Sequence, residues 1–171
     1  MGCTYSGCTH SHRAFVGLGS NLDDPEQQIE TAIAGLAALP STRVVRRSRR
    51  YRTEPVGYAD QPDFVNAVAE LETGLEPQAL MRALLALEQA HRRVRGRRNG
   101  PRTLDLDLLL YDERELDEPG LMLPHPRMHE RAFVLVPLHE IAPQANVPGR
   151  GRVSVLLGQV DPRGVARCEG R

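Results

Sequence analysis

The stretch GPRTLDLDLLL, residues 100–110, holds the most information about the fold and the chemistry of this chain. Its leucines at positions 104, 106 and 108 alternate with Asp105 and Asp107, which is the period of a β-strand with one buried face. Residues two apart on a strand point to the same side, so the two carboxylates are predicted to project together. Such a pair suits a hard divalent cation such as magnesium, although an isolated Asp-x-Asp pair can also be a solvated strand face. Arg102, just upstream, supplies a planar guanidinium for phosphate oxygens.

The composition is that of one globular domain without an overall charge. A chain of 171 residues is long enough to bury one core. The formal net charge is zero, so no global field attracts nucleic acid or a membrane surface. All 22 basic residues are arginine, and the lysine that a P-loop requires is absent. No apolar run reaches the ~20 residues that span a bilayer and no signal peptide is visible, so we predict a cytoplasmic protein without membrane or nucleic-acid partners.

The two ends of the chain differ from its middle. Residues 1–12 are expected to form a disordered N-terminal extension, residues 13–160 a single domain, and residues 161–171 a C-terminal tail. The three cysteines all lie near the ends, and an odd number argues against a disulfide framework. Two cysteines and two histidines among the first 12 residues could ligate zinc, but their spacing matches no standard structural site.

Hydrophobic periodicity predicts a mixture of strands and helices. Asp24 can cap a helix that begins at Pro25, and Glu76-Pro77 opens a second long helix. The other predicted elements are strands around residues 14–18, 44–45, 65–71 and 104–110, a short helix around residues 133–141, and a weaker apolar segment at residues 153–160. Strands and helices do not alternate strictly, which favours an α+β sandwich over a parallel doubly wound sheet.

Arginine is concentrated in two clusters, one at residues 43–52 and one at residues 92–102. Each cluster contains six arginines and no acidic residue, so together they hold 12 of the 22. Such runs are either solvated or nucleic-acid-binding patches, or they clamp phosphate. The second cluster runs directly into the aspartate strand, and neither carries the repeated aromatic residues that stack single-stranded bases, which favours a clamp. Arg46 and Arg47, in the first cluster, are expected to lie in solvent.

The motif Arg98-x-GPRTLDLDLL resembles the signature of the 6-hydroxymethyl-7,8-dihydropterin pyrophosphokinase family of folate biosynthesis. Further blocks agree with that family in order and spacing. They are GSNL (19–22), YRTEPVG (51–57), DQPDFVN (60–66), PHPRM (124–128) and RxFVLxPL (131–138). The resemblance covers the chain from about residue 13 to residue 148, and the ordered set of blocks is far more specific than any one of them.

The resemblance implies a ferredoxin-like α+β fold, an antiparallel sheet with helices on both faces. It implies an ATP-dependent enzyme, a pyrophosphokinase, that transfers the terminal diphosphate of ATP to the pterin hydroxymethyl oxygen and releases AMP. Two magnesium ions, held by Asp105 and Asp107, would bridge the triphosphate and the attacking hydroxyl. The expected partners are these two small-molecule substrates, and the expected state is a monomer.

The resemblance also assigns residues to roles. The catalytic set is Arg93, Arg102, Asp105 and Asp107. The ATP-binding set is Glu88, Arg95, Arg102, Leu108, His125 and Arg131. The pterin-binding set is Thr53, Pro55, Val56, Phe64, Asn66 and Phe133, with the two phenylalanines expected to sandwich the ring and the amide expected to meet its polar edge.

Each assignment has an ordinary structural alternative. Val56 and the two phenylalanines of the pterin set could be core, His125 a loop histidine, and Glu88 a solvated helix carboxylate. The arginines of residues 92–102 are expected to close over ATP and exclude water. Asn99 stands where the family often has an aromatic residue, and the arginine-rich loop is one residue shorter than the common form. These departures bear on lid closure and on pterin affinity, and not on the reaction class.

Overall fold

The structure is a computed structural model that describes residues 11–54, 60–92 and 104–168. The strands are β1 (His12–Ser20), β2 (Thr42–Arg47), β3 (Tyr51–Thr53), β4 (Phe64–Thr73), β5 (Asp105–Tyr111), β6 (Leu116–Glu118), β7 (Leu121–Leu123), β8 (Asn146–Val147), β9 (Gly151–Arg152) and β10 (Val165–Arg167). The helices are α1 (Pro25–Ala37), α2 (Pro77–Arg92), α3 (Ala132–Ile141), which follows a 3₁₀ turn at Met128–Glu130, and α4 (Val153–Leu157).

Six strands form one antiparallel sheet in the order β10-β3-β4-β1-β5, and β2 pairs with β4 beside β3. The long strands β1 and β4 run side by side from the pair His12 and Thr73 to the pair Ser20 and Val65. Strand β5 pairs with the other side of β1 and is the outermost strand at that edge among the described residues. The predicted α+β, ferredoxin-like class is confirmed.

Each face of the sheet packs against its own pair of helices. On one face, alternate residues of β1 such as Val16 and Leu18 join Ile29 and Leu36 of α1 and Leu84 of α2 in an apolar core. On the other face, Phe15 and Val68 join Leu109 and the helix residues Leu135 and Leu138 of α3. Because strand side chains alternate between faces, a single strand supplies both cores, and the predicted helices on both faces are present.

The helix starts follow the signals in the sequence. The Asp24 carboxylate accepts a hydrogen bond from the Gln27 backbone N–H at 3.4 Å, and Pro25 occupies the first helical position of α1. Pro77 likewise opens α2. These residues satisfy or avoid the unpaired N–H groups of a first helical turn, which is why they mark helix starts.

The chain ends differ in part from the expected domain limits. His12, the last residue of the expected extension, already belongs to β1, and residues 1–10 lie outside the described residues, so their expected disorder stays a prediction. The segment after residue 160, separated off as a tail, contributes β10, which pairs with β3. The Cys168 N–H extends this contact by donating to the Arg50 carbonyl at 2.9 Å. Three residues are too short a strand to give a periodic signal in sequence.

Candidate active site

Two aspartates and two glycines face each other across strands β5 and β1. Asp107 lies opposite Gly17, and Asp105 lies opposite Gly19. The leucines at 106 and 108 point to the other face, where they are 2% and 4% exposed. Both carboxylates therefore share one face, as the alternation predicts. Because the opposing residues have no side chain, space opens above β1 beside the aspartates.

This space is part of a cavity of about 220 Å³, which we call the sheet cavity. It lies between the sheet and the N-terminal end of α3. Its lining brings together seven of the predicted site residues, namely Thr53, Phe64, Asn66, Asp105, Asp107, Arg131 and Phe133. These residues come from four separate segments of the chain, so the fold assembles the site that the sequence blocks only suggest.

Asn66 is held in one orientation at the floor of the sheet cavity. Its side-chain amide, in a residue that is 7% exposed, donates to the Thr53 hydroxyl at 2.8 Å. The amide oxygen points toward Gly19, where an added Cβ would come within 3.1 Å of it. A buried amide with a fixed orientation presents a defined acceptor to a ligand, and a side chain in place of Gly19 would crowd this oxygen.

Phe64 and Phe133 contribute aromatic surface to the lining from β4 and from α3. The Arg131 guanidinium lies 5.5 Å from the centre of the Phe133 ring, which is a cation–π contact. The cavity thus has apolar rings on its walls, an amide on its floor, and a cation at the side of the aspartate pair. It can accept a flat, polar-edged molecule that carries an anionic group.

His125 lies beside the aspartate pair. Its backbone N–H donates to the Leu109 carbonyl at 2.9 Å, and its Nδ1 accepts from the Arg127 N–H at 3.2 Å. Burial is the main cause that lowers the imidazole pKa; the charge of Asp107 acts in the opposite direction, and Arg131 and Arg127 add to the lowering. His125 lines a second cavity of about 470 Å³, together with Met122, Pro124 and Pro126.

Glu88 connects α2 to strand β5. The residue is 8% exposed, and its Oε1 accepts a hydrogen bond from the Leu106 N–H at 2.7 Å. Leu106 stands between the two aspartates, so this contact fixes the main chain at the centre of the Asp-x-Asp motif. The solvated alternative for Glu88 is wrong, since a buried carboxylate caps the edge of β5.

Several predicted residues are placed differently or not described. The Leu108 side chain is buried in the core. Leu108 could therefore contact a nucleotide only through its main-chain groups, which lie at the β5 edge of the sheet. Five of the predicted site residues lie outside the described residues, namely Pro55, Val56, Arg93, Arg95 and Arg102. The expected lid at residues 92–102 falls in the same part of the chain and stays a prediction.

Sequence reasoning missed Gly17 and Gly19 as site residues, although Gly19 belongs to a matched block. Their Gly-Leu-Gly spacing has the same period as the Asp-Leu-Asp motif, but only the pairing of β1 with β5 shows that the two motifs meet. A second link between blocks was also not predicted. The Asn21 amide donates to the Gln61 side-chain oxygen at 3.1 Å and joins the end of β1 to the segment before β4.

The donor set suits a divalent cation that also binds phosphate. Two carboxylates share one strand face and open into a cavity. Among the described residues no cluster of three or more His, Cys, Asp or Glu side chains forms a complete ligand cage. Magnesium is usually held by one or two carboxylates plus water and substrate phosphates, so the residues present fit such an ion.

Comparison with known proteins agrees with this geometry. A sequence model of the 7,8-dihydro-6-hydroxymethylpterin-pyrophosphokinase (HPPK) family matches residues 15–143, which is most of the chain. The chain belongs to this family. A 2-amino-4-hydroxy-6-hydroxymethyldihydropteridine pyrophosphokinase of Pseudomonas aeruginosa is 48% identical over 158 residues, covering 92% of this chain and 98% of the relative. The pyrophosphokinase of the same name from Methylorubrum extorquens is 46% identical, covering 92% and 99%.

Solved structures share the HPPK fold at low sequence identity. A Plasmodium falciparum HPPK-DHPS chain superposes with a TM-score of 0.70 at 11% identity, covering 93% of this chain. The present chain spans 47% of that longer chain. The family and the enzyme class predicted from the sequence are confirmed, and with them pyrophosphoryl transfer to hydroxymethyldihydropterin in folate biosynthesis. Within the described residues no helix has the length and the apolar content needed to cross a bilayer.

Proposed function

We propose that the sheet cavity binds 6-hydroxymethyl-7,8-dihydropterin and that Asp105 and Asp107 receive the metal-bound triphosphate of ATP beside it. The products of the transfer are the pterin diphosphate and AMP. The observation that carries this proposal is that the aspartate pair and the ring-binding residues line one continuous cavity. Substrate hydroxyl and triphosphate would thereby meet at the aspartates.

The pterin end rests on Asn66 and the two phenylalanines. The Asn66 amide, oriented by Thr53, offers an acceptor to the N–H groups of the pterin edge. Phe64 and Phe133 supply apolar surface for the ring faces. Pro55 and Val56, which lie outside the described residues, are also proposed to belong to the pterin site.

The ATP end rests on cationic and neutral groups around the aspartates. Arg131 provides a guanidinium at the cavity wall, and its fork fits phosphate oxygens. His125, kept neutral by burial at ordinary pH, can donate or accept one hydrogen bond without adding a charge. Arg93, Arg95 and Arg102 are proposed to bring further positive charge to the triphosphate.

The protein's contribution is positioning. Asp105 and Asp107 would hold two magnesium ions, which when bound lower the pKa of the attacking hydroxyl and draw charge from the phosphates. Glu88 holds the main chain between these ligands, and Gly17 and Gly19 leave room for the substrates. Phosphoryl-type transfer needs in-line placement and charge neutralisation more than covalent catalysis, which agrees with this set of residues.

Phosphorus NMR of the full chain with ATP, magnesium and the reduced hydroxymethylpterin tests the proposal. We expect signals of AMP and of a pterin diphosphate to grow in equal amounts. Formation of ADP would instead indicate transfer of the γ-phosphoryl group and would contradict the proposed reaction. A parallel sample without pterin controls for ATP hydrolysis. The expected monomeric state and cytoplasmic location stay predictions.

A further inference from the structure

No residue of the first arginine cluster, residues 43–52, lines the sheet cavity. Part of this cluster surrounds a third cavity, of about 740 Å³, at the point where the chain passes from β2 to β3. We call it the arginine cavity. Its lining comes from α1, the end of β2 and the connection to β3, α3 and the end of β10. It consists of Glu30, Arg47, Ser48, Arg49, Arg50, Glu140, Arg167 and Cys168. It shares no lining residue with the sheet cavity.

Two of the four arginines are held rigidly by one glutamate. Arg47, which was expected in solvent, donates to both carboxylate oxygens of Glu30 at 2.6 and 2.7 Å, and Arg50 donates to the same carboxylate at 2.9 Å. These contacts lower the pKa of Glu30, with the Arg47 hydrogen bond as the largest cause. Guanidinium groups that are fixed in advance lose little side-chain entropy when a ligand binds.

The other two arginines, Arg49 and Arg167, can contribute positive charge to a ligand. The side chains of Arg49 and Arg167 are exposed, and among the described residues neither has a hydrogen-bond or ion-pair partner. The nearby Glu140 carboxylate is engaged by neutral donors, the Tyr51 hydroxyl at 2.5 Å and the Arg49 backbone N–H at 3.1 Å. Four arginines and two glutamates line the cavity, so its side chains carry a net formal charge of +2.

We propose that the arginine cavity binds a small phosphate-bearing anion, with Arg49 and Arg167 as the principal contacts. Planar guanidinium forks match phosphate oxygens, the net charge matches a dianion, and the volume is in the range of small-molecule sites. The concave shape and the two inward glutamates disfavour an extended nucleic-acid strand, which would need an uninterrupted positive track and stacking residues. The site is separate from the sheet cavity, with which it shares no lining residue.

The test is an NMR titration of the ¹⁵N-labelled full chain with inorganic pyrophosphate in magnesium-free buffer at constant ionic strength. We expect the amides of Ser48, Arg49 and Cys168 to shift saturably. Amides of Gly17 and Gly19 report separately on the active site. Shifts confined to the active-site amides, or shifts at the arginine cavity that do not saturate in the millimolar range, would overturn the proposal.

Matched double variants identify the contacts. Arg49→Ala with Arg167→Ala should weaken pyrophosphate binding at the cavity amides at least about tenfold, as expected when two charge-assisted contacts are lost. Arg43→Ala with Arg163→Ala removes the same charge from arginines paired with Glu72 and Asp161 outside the cavity, and should leave the affinity within about twofold because exposed pairs contribute little. Equal weakening in both variants would show diffuse attraction and refute a site.

Further probes separate the sources of the phosphate group. Inorganic phosphate and AMP are titrated in the same way, and tighter binding of AMP at the cavity amides would assign the site to a phosphate ester. A short single-stranded oligonucleotide is the last ligand titrated. Saturable binding of the oligonucleotide at these amides, tighter than that of pyrophosphate, would replace the small-anion proposal with a nucleic-acid surface.

Discussion

The two faces of strands β1 and β5 have opposite functions. Toward α1 and α2, the strands present Val16, Leu18, Leu106 and other apolar side chains that are closed off from solvent. Toward α3, the same strands contribute Phe15 and Leu109 to the second apolar core at one end, and present glycines and aspartates around an open cavity at the other. Residues that are adjacent in sequence therefore contribute either to stability or to chemistry, and a slip of one residue in the register of β5 would exchange the two sets.

Of the variants that test this difference between the two faces, Asp107→Ala is expected to have the largest effect. The change removes a proposed metal ligand from the cavity face, so we expect turnover to fall by about three orders of magnitude, or ~4 kcal/mol in the barrier. Thermal unfolding should change little, because the side chain does not belong to either apolar core. Steady-state kinetics with magnesium and thermal unfolding measure the two effects.

A carboxylate elsewhere in the sheet serves as the control for that variant. Glu72→Ala removes an exposed acid of β4 that pairs with Arg43, and near-normal turnover is expected. Equal loss of activity in the two variants, or unfolding of Asp107→Ala, would break the proposed separation between the faces.

Leu106→Ala is expected to reduce stability and to leave most of the activity, which is the reverse of the result expected for Asp107→Ala. Its side chain is 2% exposed in the core on the helix face, and truncation of such a leucine costs about 2–5 kcal/mol of folding free energy. Denaturant unfolding measures this loss, and the folded fraction should retain far more activity than Asp107→Ala. Leu85→Ala, at a residue of α2 that is 45% exposed, is the matched control and should change stability by only ~0.5 kcal/mol.

Glu88 joins the two faces, since it lies on a core helix and bonds the main chain between the aspartates. Glu88→Ala leaves the buried Leu106 N–H without this acceptor, which costs about 1–3 kcal/mol. We also expect a shift of the magnesium dependence of turnover to higher concentration. Glu88→Gln keeps an acceptor oxygen and should restore most of both properties; failure of this rescue would indicate a direct role for the carboxylate charge.

The two glycines of β1 provide a finer test of the cavity face. A Cβ at Gly19 would lie 3.1 Å from the Asn66 amide oxygen, whereas a Cβ at Gly17 would meet Leu109 carbons at an ordinary 3.5 Å. Gly19→Ala should therefore displace the amide and weaken pterin binding by ~1–2 kcal/mol, in the range of overpacking effects. Calorimetric titration with the pterin measures it, and a larger loss in Gly17→Ala would contradict the assigned position of Asn66.

Much of the fold can be predicted from local patterns. The alternation at residues 104–110 identified β5 and the shared face of Asp105 and Asp107, and Asp24 with Pro25 marked the start of α1. These features depend on neighbours within a few residues, which is the distance over which strand period, helix period and capping act.

The parts that could not be predicted depend on distant pairing. The contact of Gly17 and Gly19 with the aspartates requires β1 to pair with β5, and the Glu88 contact joins residues 18 positions apart. Strand β10 is too short to show a period, and Glu30, the acidic partner that Arg47 and Arg50 share, comes from α1. The ordered family blocks supplied the site residues, but no local pattern specifies which blocks meet.

The smallest expected effect is a pH dependence that originates on the cavity face. Burial lowers the pKa of His125 below the ordinary 6.5 in the folded protein, so between the folded pKa and 6.5 the unfolded chain binds more protons. Stability should then be fully present above pH 6.5 and decrease as the pH falls through the folded pKa. His125→Gln should flatten this slope in pH-dependent unfolding, leaving the part due to His91, whose pKa is also lowered by burial.

The same histidine can report on the aspartate pair. The charge of Asp107 opposes the lowering of the His125 pKa, so Asp107→Ala should shift that pKa further down, because the protonated imidazole loses a favourable charge. NMR titration of the His125 ring proton in the two proteins measures the shift, and the His91 signal, on the other side of the sheet, should not move. An upward shift of the His125 pKa in Asp107→Ala would contradict the favourable interaction between the Asp107 carboxylate and the protonated imidazole. The two side chains would then not share one electrostatic environment on the cavity face, which is the property that distinguishes this face from the apolar one.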